Sequence, residues 1–263
     1  MRKSLKKYVT TPIVIIGALI ALECGRSDPE QVDTVEVIVP EIVRVFPHDT
    51  AAFTQGLIYQ NNYIFESTGL YGHSTLRKID PSTGEIIQLV PQENVFAEGL
   101  CWWEGKLVQL TWRENVAMIY EYPQLDVIGT FSYDGEGWGL TRHDDRFIMS
   151  DGSATLTVRD DQFYITDRIE VTYQGRPLNQ LNELESARGS IYANVWYSDM
   201  IFQIDPSSGS VVRIIDCSAL VAQANVVGRE NVLNGIAWRE DTQTFFITGK
   251  RWPVMFEVRI PEM

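Results

Sequence analysis

Short alternations of apolar and polar residues, separated by turn-forming residues, run along most of the chain after residue 40. Side chains alternate after polar turns, as in half-buried strands, in "NNYIFEST", "EGKLVQLTW", "DDRFIMSD" and "RGSIYANVW". The sequences "DPSTGE" and "DPSSGS" are typical of tight turns, because proline presets φ and glycine accepts a positive φ. Helical periodicity is weak except in "CSALVAQANVVGREN", which predicts one short helix or loop insertion. The pattern therefore predicts an all-β protein.

One phrase recurs five times along the chain. Its copies are "FTQGLIYQNNYIFES", "FAEGLCWWEGKLVQLTW", "EGWGLTRHDDRFIMSDG", "QLNELESARGSIYANVW" and "VLNGIAWREDTQTFFITGK". The residue before each Gly-Leu-like step is Gln55, Glu98, Trp138, Asn182 and Asn234. Four strands in each repeat of roughly 40 residues are typical of a β-propeller blade. The repeats predict a five-bladed β-propeller, and the insertion before the fifth copy accounts for the longest spacing.

The two ends of the predicted propeller together make up one complete blade. The fifth repeat ends after three strands, at "PVMFEVRI", while "EIVRVFPHD" (residues 41–49) predicts an additional strand ahead of the first repeat. This N-terminal strand is predicted to complete the last blade and close the ring, which removes an exposed sheet edge. The propeller domain is predicted to cover residues 41–263.

The N-terminal 24 residues have the pattern of an export segment. A basic stretch, "MRKSLKK", precedes the apolar stretch "YVTTPIVIIGALIAL". A cleaved signal peptide, a lipoprotein-type segment with Cys24 as lipid acceptor, and an uncleaved membrane anchor are the open alternatives. All three predict an exported protein of the periplasm or cell envelope that contacts the membrane only through this segment. Residues 25–40 are polar and acidic and are predicted to form a linker.

Charge and composition exclude two classes of function. The net charge of −13 gives no basic surface for nucleic acid, which is excluded as the main partner. The chain has only three histidines and no CxxC or HExxH motif, so the sequence predicts no metal site built from histidine and cysteine. Cys101 and Cys217 lie in apolar contexts, and a disulfide between them and two buried thiols are both open alternatives.

The repeat positions predict which side chains meet. The first strand of each propeller blade lines the central channel, so the five residues before the Gly-Leu-like steps are predicted to ring one mouth of it. The following strands end at the same mouth and add Trp112, Trp196 and Lys250. A carboxylate, an amine, amides and indoles together have the composition of a small-molecule site. Glu98 stands out, because strand-forming sequence rarely buries an acid that has neither a partner nor a task.

The ordered motifs resemble one known family. The phrases "FTQGL", "FAEGL", "LTW", "GEGWGL", "LNELE", "ANVW" and "ITGKRWP" are similar to those of the plant-type glutaminyl-peptide cyclotransferases, known from papaya latex and from bacteria. The resemblance covers about residues 41 to 260. It implies a five-bladed propeller that converts the N-terminal glutamine of peptides or proteins to pyroglutamate with release of ammonia. The repeat count predicts the same fold independently.

The resemblance also implies roles for individual residues. Glu98 is expected to be the catalytic general base and then general acid. Gln55 and Asn182 are expected to bind the carboxamide of the substrate, and Lys250 to stabilise oxyanion charge or keep Glu98 ionised. The pocket is expected to be walled by aromatic side chains that exclude water, namely Phe53, Phe96, Trp112, Trp138 and Trp196. No chemistry is assigned to Asn234.

The proposed reaction needs no cofactor and no metal, although a structural calcium bound near "YDGEG" is an open alternative. A monomer is expected. Two other functions remain open: a non-catalytic propeller that binds peptides or envelope partners, and a calcium-dependent, lactonase-like hydrolase. The scaffold predicts no ammonia release from a peptide that begins with glutamine. The hydrolase predicts a loss of activity on chelation.

Overall fold

Residues 35–262 are the part of the chain that the computed structural model describes. The predicted export segment 1–24, with Cys24, therefore lies outside the described residues. The described chain begins with two strands, β1 (Glu36–Ile38) and β2 (Glu41–Pro47). The strand β1 falls within the stretch 25–40 that the sequence predicts as a linker, so the C-terminal end of that stretch differs from the prediction.

Each of the first three blades is a four-stranded antiparallel sheet in which consecutive strands pair. The first blade contains β3 (Thr54–Gln60), β4 (Tyr63–Thr68), β5 (Ser74–Ile79) and β6 (Ile86–Gln92). The second contains β7 (Ala97–Trp103), β8 (Lys106–Thr111), β9 (Val116–Glu121) and β10 (Asp126–Ser132). The third contains β11 (Leu140–His143), β12 (Arg146–Met149), β13 (Thr155–Arg159) and β14 (Ile165–Glu170).

The last two blades include strands from the start of the described chain. A small hairpin of β15 (Thr172–Tyr173) and β16 (Arg176–Pro177) follows the third blade. The fourth blade contains β17 (Leu181–Ala187), β18 (Ser190–Val195), β19 (Met200–Ile204) and β20 (Val211–Asp216). Next come the helix α1 (Ser218–Ala224) and the fifth-blade strands β21 (Leu233–Arg239), β22 (Thr244–Gly249) and β23 (Val254–Arg259). The strand β1 pairs in parallel with β20, and β2 pairs antiparallel with β23.

The innermost strands contact one another in a closed cycle of β3, β7, β11, β17 and β21, with β21 again next to β3. Apolar side chains fill the spaces between neighbouring blades; Val108, Tyr133, Phe147 and Phe163 belong to one such cluster. The predicted five-bladed β-propeller is therefore confirmed. Helix α1 lies in the insertion for which the sequence predicts a short helix or loop.

Glycines of the recurring Gly-Leu step allow the inner strands of neighbouring blades to approach closely. A Cβ atom on Gly99 would lie 2.4 Å from the backbone nitrogen of Leu140. A Cβ atom on Gly139 would lie 2.0 Å from the backbone oxygen of Asn182. Real side chains do not tolerate such contacts with backbone atoms, so glycine is required where these strands meet.

We expect Gly139→Ala to lower the free energy of unfolding by about 3 kcal/mol or more, because the clash is with backbone rather than with a mobile side chain. Gly129→Ala is the matched control, since its Cβ would meet only Cδ1 of Ile119 at an ordinary 3.7 Å. Equilibrium urea unfolding of both variants measures the difference. Equal stabilities would contradict the close-approach explanation.

His48, which follows β2, ties the start of the propeller to the first and fifth blades. Its Nδ1 donates to the backbone oxygen of Trp252 at 2.8 Å, and its Nε2 donates to Oε1 of Glu66 at 2.8 Å. Burial lowers the pKa of His48, but the charge and hydrogen bond of Glu66 outweigh burial and leave the pKa raised. Both partners are acceptors, so protonation of both ring nitrogens satisfies the two contacts, and the raised pKa favours that charged form.

Cys101 and Cys217 are both buried and free, which settles the alternatives left open by the sequence in favour of two thiols. Burial raises the pKa of each thiol, so neither is a reactive thiolate at neutral pH. Within residues 35–262, no helix has the length and apolar character needed to cross a membrane.

Candidate active site

A cavity of about 450 Å³ opens at the channel mouth where the inner strands begin. Every residue to which the family resemblance assigns a role lines this cavity: Phe53, Gln55, Phe96, Glu98, Trp112, Trp138, Asn182, Trp196 and Lys250. These side chains come from all five blades, so the circular arrangement brings together residues that lie far apart in the sequence. Their individual chemical roles remain predictions.

Backbone bulges position the polar side chains of the site. In four of the five inner strands, the pairing with the second strand of the blade shifts register at the start of the inner strand. The shifts enclose Gln55, Glu98, Asn182 and Asn234. A β-bulge adds one residue to one strand and re-aims its side chain. The repeated phrase therefore encodes both the close approach of the blades and a local irregularity that can direct a polar group away from the sheet.

Glu98 is the buried acid of the cavity, with only 4% of its surface exposed. Its Oε1 accepts a hydrogen bond from Nε2 of Gln55 at 3.0 Å. Burial raises the pKa of Glu98 well above its ordinary value; the positive charge of Lys250 opposes this shift, and the negative charge of Glu136 adds to it. A carboxylate in this environment is a stronger base than one in water, so it is suited to accept a proton from an amine.

Lys250 supplies the positive charge of the cavity and is 4% exposed. Its Nζ lies 4.8 Å from the ring centroid of Phe53 and 5.9 Å from that of Trp196. Burial lowers its pKa to about 8, although Glu98 and Glu230 both favour the charged form. Lys250 therefore lies beside the rings of Phe53 and Trp196, and its charge and that of Glu98 influence each other's pKa.

Asn234 departs from the predicted ring of five residues around the mouth. It is fully buried and is not among the residues that line the cavity. Its Nδ2 instead donates to the backbone oxygen of Thr54 at 2.9 Å and to Oε1 of Gln55 at 3.3 Å. Asn234 thus holds Gln55, which in turn holds Glu98, while the substrate-binding role of Gln55 stays a prediction. The next residue, Gly235, has a φ of 121°. The backbone therefore leaves the regular strand conformation at the point where Asn234 departs from the predicted ring.

Two buried polar atoms of the cavity residues have no hydrogen-bond partner within the described structure. They are Oδ1 of Asn182 and Nε1 of Trp196. One is an acceptor and the other a donor, and a buried polar group without a partner is unfavourable. A carboxamide carries an N–H donor and a carbonyl acceptor, so its hydrogen-bonding groups are complementary to these two atoms.

Two packed groups of aromatic side chains wall the cavity. In one wall, Phe96 packs against Phe53 and Trp112, with ring centroids 6.3 and 5.6 Å apart. In the other wall, Trp138 and Trp196 pack edge to face with centroids 5.5 Å apart. A flat amide that binds against these rings is removed from water, which strengthens its contacts with the polar groups.

Four lining residues were not predicted from the sequence: Leu70, Arg113, Glu136 and Glu230. Glu136 belongs to the "GEGWG" phrase, two residues before Trp138, and Arg113 directly follows Trp112. Glu230 comes from the insertion before the fifth blade, and its Oε1 accepts a hydrogen bond from Tyr197. For Arg113 and Glu136, adjacency to predicted residues was the available signal; Leu70 and Glu230 had none, because loop residues follow no repeat position.

The site has the groups for a proton-transfer reaction on a bound amide. Glu98 can move a proton, Lys250 can stabilise negative charge, and the aromatic walls can fix the amide. Among residues 35–262, no group of three or more histidine, cysteine, aspartate or glutamate side chains is arranged to hold a metal ion.

Comparisons with known proteins point to one family. Residues 15–260 match the family model for glutamine cyclotransferase. The chain is 41% identical over 228 residues to a glutaminyl-peptide cyclotransferase of Arabidopsis thaliana, an alignment that covers 84% of this chain and 71% of the relative. The crystal structure of Myxococcus xanthus glutaminyl cyclase superposes with a TM-score of 0.82 at 40% identity, covering 86% of this chain and 97% of that one.

Proposed function

The chain belongs to the glutamine cyclotransferase family, and from this premise we propose that Glu98 relays the proton when an N-terminal glutamine is cyclised to pyroglutamate with release of ammonia. The substrates are peptides or proteins that begin with glutamine. The observation that carries the proposal is the position of Glu98, a nearly fully buried acid in an aromatic cavity that also contains Lys250 and Asn182.

The proposed reaction starts with the neutral α-amine of the substrate. Its nitrogen attacks the side-chain carboxamide carbon, and a C–N bond closes a five-membered ring. Glu98 takes a proton from the attacking nitrogen and gives a proton to the departing amide nitrogen. The old C–N bond then breaks, and ammonia leaves with the transferred proton. Nucleophile and electrophile belong to the same residue, so much of the rate comes from holding the reactive rotamer.

The unpartnered atoms of the cavity fit this substrate. We assign Oδ1 of Asn182 to the N–H groups of the carboxamide and Nε1 of Trp196 to its carbonyl oxygen, because these two atoms are a buried acceptor and a buried donor. Lys250 then stabilises the negative charge that develops on the carbonyl oxygen as the ring closes. Its charge also lowers the pKa of Glu98 and so favours the basic form.

The reaction is proposed to be independent of metal, because one carboxylate performs both proton transfers and the substrate needs no other activation. A coupled assay for ammonia with a glutamine-leading peptide tests both the activity and this independence. We expect ammonia and pyroglutamyl peptide in equal amounts, no ammonia from the same peptide with an acetylated N-terminus, and unchanged turnover after chelation. Absence of ammonia from the free peptide would refute the activity. Loss of turnover on chelation would refute metal independence alone.

A further inference from the structure

Glu136 joins the tryptophans of the two aromatic walls. Its Oε2 accepts a hydrogen bond from Nε1 of Trp112 at 2.8 Å and a second from Nε1 of Trp138 at 3.1 Å. The two tryptophans belong to different blades and pack against different partners, Phe96 and Trp196 respectively. A single carboxylate oxygen therefore fixes the orientation of one indole in each wall.

Arg113 fixes Glu136 from the other side. Its Nε donates to Oε1 of Glu136 at 2.9 Å, and another guanidinium nitrogen lies 2.8 Å from the same oxygen. The guanidinium also stacks on the ring of Trp112, 3.6 Å from its centroid. Both oxygens of Glu136 are thus engaged, and the carboxylate has one defined orientation.

The loop that carries Glu136 is itself anchored. The backbone nitrogen of Gly137 donates to the backbone oxygen of Trp112 at 2.9 Å. A Cβ atom on Gly137 would lie 2.7 Å from the backbone oxygen of Thr111, so this contact depends on glycine. The loop between β10 and β11 is therefore held against the end of β8, directly beside the cavity.

The third tryptophan of the cavity, Trp196, differs from the other two in the hydrogen bonding of its indole N–H group. Nε1 of Trp196 has no partner within the described residues, whereas the N–H groups of Trp112 and Trp138 are both directed to Glu136. The N–H group of Trp196 is therefore not engaged by Glu136, while the other two indoles can contribute only their ring surfaces without breaking a bond to Glu136. Hydrogen bonding to Glu136 thus distinguishes Trp112 and Trp138 from Trp196.

We propose that Glu136 is a positioning residue of this site: it holds Trp112 and Trp138 at the separation and tilt that clamp the glutamine side chain of the substrate. This inference rests on the proposed function. Clamping matters because cyclisation requires one rotamer, and a displacement of about 1 Å of groups around a reacting centre can lower the rate about 100-fold. An ordinary surface ion pair between Arg113 and Glu136 would leave activity nearly unchanged.

Two variants of similar size separate the hydrogen bonds from the charge. Glu136→Gln keeps an oxygen that can accept from both indoles, whereas Glu136→Met does not; both remove the negative charge. We expect Glu136→Met to lower kcat/KM for a glutamine-leading peptide roughly 10- to 100-fold and to change the near-ultraviolet circular dichroism of the tryptophans. Glu136→Gln is expected to retain most of the wild-type kcat/KM and most of the wild-type circular dichroism signal. Asp134→Ala, at an exposed position on the same loop, serves as the control with unchanged kinetics.

A double-substitution cycle tests whether Glu136 acts through the indoles. In a Trp138→Phe background one of the two N–H donors is already gone, so Glu136→Met is expected to cause a smaller further loss. The inference is overturned if the loss is the same in both backgrounds, if Glu136→Gln is as impaired as Glu136→Met, or if neither variant is impaired. Glu136→Ala replaces Glu136→Met, with the same expectations, if the latter does not fold. A wild-type protein without turnover would instead refute the proposed function.

Discussion

Glu98→Gln is expected to lower kcat about 1,000-fold or more, because the amide cannot accept a proton from the attacking nitrogen or return one to the leaving nitrogen. The substitution preserves volume and keeps a side-chain oxygen that can accept from Gln55. The protein should remain folded. Because the folded state raises the pKa of Glu98, ionising this group disfavours folding as the pH rises above the ordinary glutamate value. At pH values above that range, the variant should be at least as stable as the wild type, which urea unfolding can measure.

Glu185→Gln is the matched control for this experiment. Glu185 is also a buried acid of an inner strand, and burial raises its pKa to about 8. It lies at a different cavity, lined by Thr141, Trp238 and Glu240, and its Oε1 accepts from the backbone nitrogen of Trp238 at 2.7 Å. We expect turnover close to that of the wild type. An equal loss in both variants would show that removing any buried acid impairs the propeller, and that Glu98 has no special role.

Lys250→Met is expected to lower kcat/KM about 100-fold, because the negative charge on the carbonyl oxygen loses its cationic partner. The same substitution removes the charge that lowers the pKa of Glu98. The acidic limb of the pH profile, where activity rises as Glu98 loses its proton, should therefore move to higher pH. Measuring kcat/KM as a function of pH, from below to above neutrality, gives the loss of rate and the shift of the acidic limb separately.

Arg251→Met provides the comparison for Lys250→Met. Arg251 is the next residue, is exposed, and has its guanidinium carbon 5.6 Å from the Phe53 ring. Its removal should leave both the rate and the position of the acidic limb nearly unchanged. If Lys250→Met moved neither of these, or if Arg251→Met moved both, the assignment of Lys250 to the reacting charge would be wrong.

The sequence repeat predicts the site well because it shows which residues occupy equivalent positions on the inner strands. Once the Gly-Leu steps are aligned, Gln55, Glu98 and Asn182 occupy equivalent places, and the circular fold brings them to one mouth. The same spacing predicts Trp112 and Trp196 at the ends of the next strands. All of these side chains line the cavity.

Repeat spacing fails where the backbone leaves the common path. Asn234 occupies the equivalent sequence position, but its side chain donates to Gln55 and does not line the cavity. Glu136 and Glu230 reach the cavity from loops whose course depends on contacts such as that between Gly137 and Trp112, which no periodic pattern reveals. The parallel pairing of Glu36–Ile38 with β20 is a long-range contact of three residues in an acidic stretch, and it has no local signal.

The most direct test of the proton relay separates binding from turnover in one variant. A glutamine-leading peptide is titrated into Glu98→Gln while tryptophan fluorescence reports binding and the coupled assay reports ammonia. The proton relay predicts that the peptide still binds against the aromatic walls with little or no ammonia released. Ammonia release at the wild-type rate from this variant would contradict it.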